Sequence, residues 1–280
     1  MKITYIDLKF TGLLLLLSFS LIGFSQSSAR YTITFNGTWN SSDHGTLPGN
    51  AHWSDLVGAT HNDNISFWQE GSLASAGIED VAEIGNNTAF NSEVDTAISD
   101  GNADQWLQEG FSPNVALGNC IIMDVIVTED HPLLTLVSMI APSPDWFIGI
   151  NNISLLDEGS NWKNNITFDM FPYDAGTEDG TNYSTSNSDS NPIQNIFSRV
   201  NMTPFNDQKV GTLIIQLEEL LSLESPPLDH DLVLSPNPAT DHVTILNNKS
   251  NIQGITIYNM VGQLVSSIKN QNFGSIIKFS

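Results

Sequence analysis

The sequence predicts an all-β protein built as an antiparallel β-sandwich. The segment Tyr31–Phe35 alternates apolar residues with threonine, which is the period of two expected of a half-buried strand. Turn dipeptides such as Asn36-Gly37 and Asp100-Gly101 interrupt the chain often, whereas helical periodicity is weak. Short strands separated by frequent turns are typical of antiparallel sandwiches.

The other predicted elements follow from the same patterns. Short helices are expected near Asn91–Ser99 and near Ile193–Phe197. The remaining predicted strands are Ile121–Val127, Leu134–Ile140, Trp146–Ile150, Ile166–Phe171 and Thr212–Leu217.

Composition excludes several functions. The chain of 280 residues has 9 Lys and Arg against 31 Asp and Glu, a net charge of −22. Nucleic acids and anionic membrane surfaces require basic charge, so neither is an expected partner. Such an acidic surface attracts cations, divalent metals first among them. Cys120 is the single cysteine, so no intramolecular disulfide forms, and its apolar strand predicts a buried thiol.

The chain divides into four predicted segments. Residues 1–25 have the form of a signal peptide, with Lys2 and Lys9 ahead of a short apolar run; the alternative is an N-terminal membrane anchor. Residues 30–217 form the main domain, and the proline-containing stretch 218–231 is a linker. Residues 232–280 are a small all-β module. No span is expected in the mature protein.

Five stretches in series resemble the spondin domain, the N-terminal module of animal F-spondin and mindin. The similarity covers about Arg30 to Gln216. The stretches are Tyr31–Trp39, residues 50–61 (NAHWSDLVGATH), Gly77–Gly85 (GIEDVAEIG), Ala141–Gly149 (APSPDWFIG) and Asp174–Gly180 (DAGTEDG).

This resemblance implies an eight-stranded antiparallel β-sandwich and a calcium site. The family's calcium ligands, carried over by position, are Asp145, Asp174 and Glu178. Glu178 stands where the family pattern has aspartate, so either its longer arm reaches the ion or Asp179 takes its place. The paired cysteines of animal members are absent.

The residues themselves leave two interpretations of these acids open. Calcium prefers six to eight oxygen ligands, and Gly176 permits the tight bend that would bring Asp174 and Glu178 together. Asp145 follows a Pro-Ser-Pro turn, which a second loop at the same end of a sandwich could approach. The alternative is that Asp145 and Asp174 only cap turns.

Histidines and tryptophans suggest two further sites. His44, His52 and His61 are candidate zinc ligands, although hydrogen bonding within a folded loop under Trp53 is the favoured interpretation for His52 and His61. Trp106 and Trp162 lie in polar surroundings and are candidates for a surface platform that stacks on carbohydrate. Residues expected in the core instead are Trp39, Trp53 and Trp146.

The C-terminal module resembles the sorting domain of type IX secretion. Residues 234–241 (LSPNPATD) and 257–265 (IYNMVGQLV) carry this similarity. Such tails direct a folded cargo across the outer membrane of Gram-negative bacteria. The family's final strand and basic segment are missing after Lys278, so the module is expected to be truncated.

These features predict a secreted or cell-surface protein of a Gram-negative bacterium, exported through the periplasm. Its expected function is a calcium-binding adhesion or ligand-binding module without catalytic activity. Expected partners are an extracellular glycan or a surface or matrix protein, together with the type IX secretion machinery. The alternatives are a secreted polysaccharide-active hydrolase and a structural component of an extracellular coat. Nucleophile-elbow, HExxH and phosphate-loop motifs are absent from the sequence.

Overall fold

A computed structural model describes residues 27–221, 232–235, 244–247, 254–259 and 261–269. The predicted signal peptide lies outside these residues. The elements in chain order are β1 (Ser28–Gly37), β2 (His52–Trp53), β3 (Leu56–His61), α1 (Ala76–Ile84), α2 (Thr88–Ser99), β4 (Ala103–Glu109), β5 (Asn119–Thr128), β6 (Leu133–Ala141), β7 (Trp146–Ser154), β8 (Asn165–Met170), β9 (Tyr173–Asp174), β10 (Glu178–Asp179), β11 (Ser188–Asp189), β12 (Phe197–Ser198), β13 (Gly211–Leu221), β14 (Leu232–Ser235), β15 (Thr244–Asn247), β16 (Gly254–Tyr258) and β17 (Leu264–Lys269).

Two antiparallel sheets form the sandwich. The first has the strand order β5-β1-β13-β8, and the second has the order β12-β9-β7-β6-β3-β4, with β2 also paired to β6. The fold class is therefore as predicted, but the strand count is higher than eight. Eight strands of these two sheets have six or more residues, and the additional β2, β9 and β12 have two residues each.

The alternating pattern of β1 explains how the core between the sheets forms. Its inward residues Tyr31, Ile33 and Phe35 are fully buried, and the threonines between them face outward. They pack with the buried Trp39, Trp53 and Trp146. Burying an aromatic or aliphatic side chain of this size stabilises the fold by roughly 1.5–3 kcal/mol.

Strand β6 is buried along almost its whole length because both faces of its sheet are covered. One face packs on the core between the sheets, and the other packs against the two helices. Val137 and Phe147 from the sheet contact a second core that contains Ile78 of α1 and Phe90 of α2.

The helices differ from prediction. Helix α2 includes the predicted segment and begins three residues earlier, whereas α1 was not predicted. Helix α1 begins after Ser75, whose Oγ accepts a hydrogen bond from the Ile78 N–H (3.2 Å), and ends at Gly85 in the left-handed conformation (φ 65°). The helix predicted at Ile193–Phe197 is wrong, because its backbone N–H groups bond elsewhere: Gln194 donates to Gly176 and Ile196 to Ser72.

The described residues separate into two compact units, which divide between Ser222 and Leu223. Strand β13 continues to Leu221, which pairs with Ser28, so residues 218–221 of the predicted linker belong instead to the first sheet. The rest of the linker lies outside the described residues. In the second unit, β14 pairs with β15 and β16 with β17, both antiparallel. Among the described residues, no helix has the length and apolar character needed to cross a bilayer.

Candidate metal centre

The fold brings Asp145 and Asp174 together at one end of the second sheet. Asp145 directly precedes β7, and Asp174 ends β9, where it pairs with Trp146. The Ala175 N–H donates to the Asp145 carbonyl oxygen at 3.0 Å. The Ser143 Oγ accepts from the Trp146 N–H at 3.1 Å and fixes the turn that carries Asp145.

The turn after Asp174 wraps around the carboxylate of Asp145. The Asp145 Oδ2 accepts hydrogen bonds from the backbone N–H groups of Thr177 (2.7 Å) and Glu178 (3.1 Å). Gly176 is required inside this turn, because it has a φ of 77° and a Cβ there would lie 2.4 Å from the Gln194 carbonyl oxygen. Asp145 therefore has the turn-capping role that was one of its two interpretations.

The other oxygen of Asp145 is not used by the turn. Oδ1 is buried and has no hydrogen-bond partner, and the residue as a whole is 0% exposed. A buried carboxylate oxygen without a partner is costly, and an ion or water that completes the site is one explanation for it. Turn capping alone does not explain this oxygen.

Asp174 is neutralised by Arg199. The Arg199 Nη1 donates to the Asp174 Oδ2 at 2.7 Å, and both side chains are almost fully buried. Arg199 also donates from Nη2 to the Thr203 carbonyl oxygen (2.7 Å), and its Cζ lies 4.1 Å from the ring centroid of Trp146. The Asp174 Oδ1 accepts from the Gly176 N–H at 3.0 Å.

Two buried carboxylates thus share one guanidinium, and the site keeps a negative charge. Burial raises the pKa of Asp145, against the lowering effect of the two backbone N–H donors. Burial and the nearby Asp145 raise the pKa of Asp174, while Arg199 opposes the increase. Burial is the first cause of both increases, and the charge of Arg199 opposes both.

The carboxylates of Glu178 and Asp179 accept hydrogen bonds from side chains outside the Asp145–Asp174 pair. Glu178 is half-buried, and its Oε2 accepts from the Asn187 Nδ2 at 3.3 Å. Burial raises its pKa, and the charge of Asp145 contributes. Asp179 accepts from the Ser190 hydroxyl at 2.8 Å. Across the described part of the chain, no three His, Cys, Asp or Glu side chains converge as metal ligands.

Glu83, on the last turn of α1, is a further acid of this region and was not among the predicted ligands. Burial raises its pKa to about 6, a hydrogen bond from the Thr177 side chain lowers it, and the charges of Glu178, Glu79 and Asp145 raise it. Its presence in the stretch GIEDVAEIG, just before the capping Gly85, was the available signal.

The donor chemistry of Asp145 and Asp174 suits a hard cation such as calcium. Both offer carboxylate oxygens, the Asp145 Oδ1 is free, and the local charge is negative. The charge of Asp145 helps to raise the pKa of Glu178, but the Glu178 carboxylate accepts a hydrogen bond from Asn187. Of the three predicted ligands, Asp145 alone offers an oxygen without a hydrogen-bond partner, because both Asp174 oxygens already accept hydrogen bonds, from Gly176 and Arg199. Calcium binding by these residues therefore stays a prediction.

The histidines have separate hydrogen-bonded roles. His61 is buried in β3, where Nε2 contacts the Thr135 Oγ1 and Nδ1 the Asn62 carbonyl oxygen, both at 2.8 Å. The Nδ1 of His52 lies 2.7 Å from the Asn50 carbonyl oxygen. His44 is buried, with Nε2 at 3.1 Å from the Gln208 carbonyl oxygen. Within the described residues they form no shared zinc cluster.

The two candidate surface tryptophans and the single cysteine are all at least partly buried. Trp106 and Trp162 are only partly exposed, and each packs edge-on against a core aromatic ring, Phe90 and Tyr31 respectively. Neither forms an open platform. Cys120 is 2% exposed, which confirms the predicted buried thiol, and burial raises the pKa of that thiol to about 12.

Comparisons with known proteins find animal spondins among the relatives of this chain. Human Spondin-2 is 35% identical over 169 residues, which cover 58% of this chain and 50% of that protein. Rat Spondin-1 is 29% identical over 197 residues, covering 66% of this chain and 24% of that protein. The chain therefore spans about half the length of Spondin-2 and about a quarter of Spondin-1.

Two family profiles match different parts of the chain. A profile described as a secretion system C-terminal sorting domain matches residues 234–279. This tail marks the chain as cargo of the type IX secretion machinery and so as a secreted or cell-surface protein. The Spondin_N profile matches residues 29–211, well over half of the sequence. The protein therefore belongs to the Spondin_N family.

Proposed function

We propose that the protein is a secreted adhesion or ligand-binding module, without catalytic activity, whose loops at one sandwich end are ordered by calcium. The single observation that carries the proposal is the buried, unpartnered Oδ1 of Asp145 beside a second buried carboxylate. Membership of the Spondin_N family and the sorting tail support an extracellular role. The ligand is proposed to be a surface glycan or a matrix protein.

Asp145 and Asp174 would hold the ion, with Glu178 as the third acid. The same Asp145 carboxylate organises the turn through its Oδ2, so an ion at Oδ1 would stabilise that turn. When bound, calcium would add positive charge to a site where one guanidinium, that of Arg199, faces two buried acids. Loops held in one conformation lose less entropy on binding a partner.

Thermal unfolding of the full chain tests the ion. A ligand that binds only the native state stabilises it by RT ln(1 + [L]/Kd), about 2.7 kcal/mol at a hundredfold excess over Kd. Millimolar calcium should raise the Tm relative to EDTA, with magnesium as the comparison ion. Asp145→Asn should remove the shift, and Asp104→Asn, at an exposed position on β4, should keep it. Equal shifts in both variants would exclude the Asp145 site.

Bead adhesion tests the binding role. Beads coated with the full chain should adhere to at least one surface in a panel of immobilised glycans and matrix proteins, and EDTA should release them. Beads that carry Asp145→Asn should bind poorly. Release of soluble sugar from the panel would instead support a hydrolase. Adhesion that EDTA does not change would show that binding does not depend on calcium.

A further inference from the structure

A cleft of about 450 Å³ lies beside the C-terminal end of α1. Its walls come from five separate segments, contributed by residues near His52, Glu83, Asn114, Met139 and Thr185. The volume is within the range of about 300–1,000 Å³ typical of ligand sites. Convergence of distant segments on one cavity is also typical of binding sites.

Several hydrogen bonds hold the floor of the cleft. Ser54 donates its N–H to the Met139 carbonyl oxygen (3.2 Å), and its Oγ accepts from the Met139 N–H (2.8 Å). The Ser138 hydroxyl donates to the Ser54 carbonyl oxygen (2.8 Å). The indole N–H of Trp53, behind the floor, donates to the Ala116 carbonyl oxygen (3.0 Å). The cavity is therefore shaped before any ligand binds.

The polarity of α1 makes this cleft attractive to cations. A helix C-terminus carries partial negative charge and is stabilised by basic side chains. Helix α1 has no basic residue in its last turn and instead carries Glu83, which lines the cleft. An acid at this position disfavours the helix locally, and such violations of local preference concentrate at functional sites.

The remaining lining fits an aliphatic chain that ends in a cation. Asp55 places a second carboxylate in the cleft, and no Lys or Arg lines it. Met139, Ala141 and Pro142 supply apolar surface, and Ile84 at the rim is 68% exposed. Trp53 is 1% exposed, so the cleft offers no open aromatic face on which a sugar would stack.

We propose that this cleft binds an ammonium or guanidinium group on an aliphatic chain, such as a Lys or Arg side chain of a partner protein. Glu83 and Asp55 receive the charge, and Met139 and Pro142 contact the stem. The inference rests on the proposed binding function and names the chemistry of its ligand. It requires no ion at Asp145.

Binding of a labelled lysine-containing peptide to the full chain tests the proposal. Glu83→Gln and Asp55→Asn should each raise the Kd, by about tenfold or more for Glu83→Gln, because each removes one carboxylate of the cleft. Asp104→Asn makes the same charge change on the exposed face of β4 and should leave the Kd unchanged. A matched glutamate-containing peptide should not bind. Spermidine, in a parallel titration, distinguishes a free polyamine from a protein side chain.

Calcium response separates this proposal from the preceding one. Asp55→Asn, at a position outside the acids assigned to calcium, should weaken peptide binding and keep the rise in Tm with calcium, if wild type has one. Peptide binding that persists in EDTA would uphold the cleft even where calcium has no effect. The cleft would be refuted by absence of peptide binding, by a Kd unchanged in Glu83→Gln, or by an equal loss of binding in Asp104→Asn. It would also be refuted if Asp55→Asn lost the calcium response together with peptide binding.

Discussion

The Arg199–Asp174 pair predicts a large cost for a single substitution at Arg199. Arg199→Met keeps the aliphatic stem but removes the charge from a pair in which the two side chains are 4% and 6% exposed. Removing one member of a buried ion pair costs about 3–5 kcal/mol, because the other charge stays buried without compensation. Here the stranded Asp174 also lies beside Asp145, whose charge already raises its pKa. The expected loss is therefore at the upper end of that range.

Guanidinium-induced unfolding of the full chain measures this loss in the presence of EDTA. Arg30→Met is the matched control, because Arg30 is 37% exposed and lies 3.6 Å from Asp124 and 3.5 Å from Glu219. Exposed pairs contribute about 0–1 kcal/mol. Asp174→Asn combined with Arg199→Met should restore part of the stability, since the stranded charge is gone. A loss below about 1 kcal/mol in Arg199→Met would refute the assignment of a buried, essential pair.

Three further predictions concern other parts of the domain. Gly176→Ala should reduce the free energy of unfolding by roughly 1–3 kcal/mol, because the residue has a positive φ and its new Cβ would meet a carbonyl oxygen. Gly71→Ala should cost less, because Gly71 has a φ of 86° but open space around it. Equal denaturation midpoints for the two variants would contradict the role of packing at Gly176. Burial lowers the pKa of His61, so the unfolded chain binds more protons below about pH 6.5 and stability falls as the pH drops. In urea titrations, His61→Gln should lose less free energy of unfolding than wild type between pH 7 and pH 5. Equal losses in the two proteins would contradict this role of His61. The Cys120 thiol, with a pKa of about 12, should resist iodoacetamide at pH 8 until denaturant is added; labelling of the native protein, followed by mass spectrometry, would disprove its burial.

Alternation of apolar and polar residues was sufficient to locate the long strands of the first sheet. Strand β1 illustrates why: one face is buried and the other is polar, so the period of two is visible. Strand β3 was not predicted, because all six of its residues are buried and no alternation remains. The segment Ile193–Phe197 was misassigned because its backbone partners, Gly176 and Ser72, are distant in sequence.

The candidate site was predictable only in part. The resemblance selected Asp145 and Asp174, which the fold does bring together. Arg199 could not be found, because nothing in its neighbourhood in the sequence indicates that a buried guanidinium meets Asp174 across 25 residues. The free Oδ1 of Asp145 is also a property of three-dimensional packing. Glu83 was not predicted as a residue of this region because the helix that carries it was not predicted.

Direct calcium titration of the full chain by calorimetry tests the central proposal most directly. We predict binding of one calcium ion per chain, lost in Asp145→Asn and retained in Asp104→Asn. We also predict stronger binding in Arg199→Met wherever that variant folds, because two buried carboxylates then lack any positive partner. Absence of binding heat in wild type, or an unchanged isotherm in Asp145→Asn, would contradict the proposal.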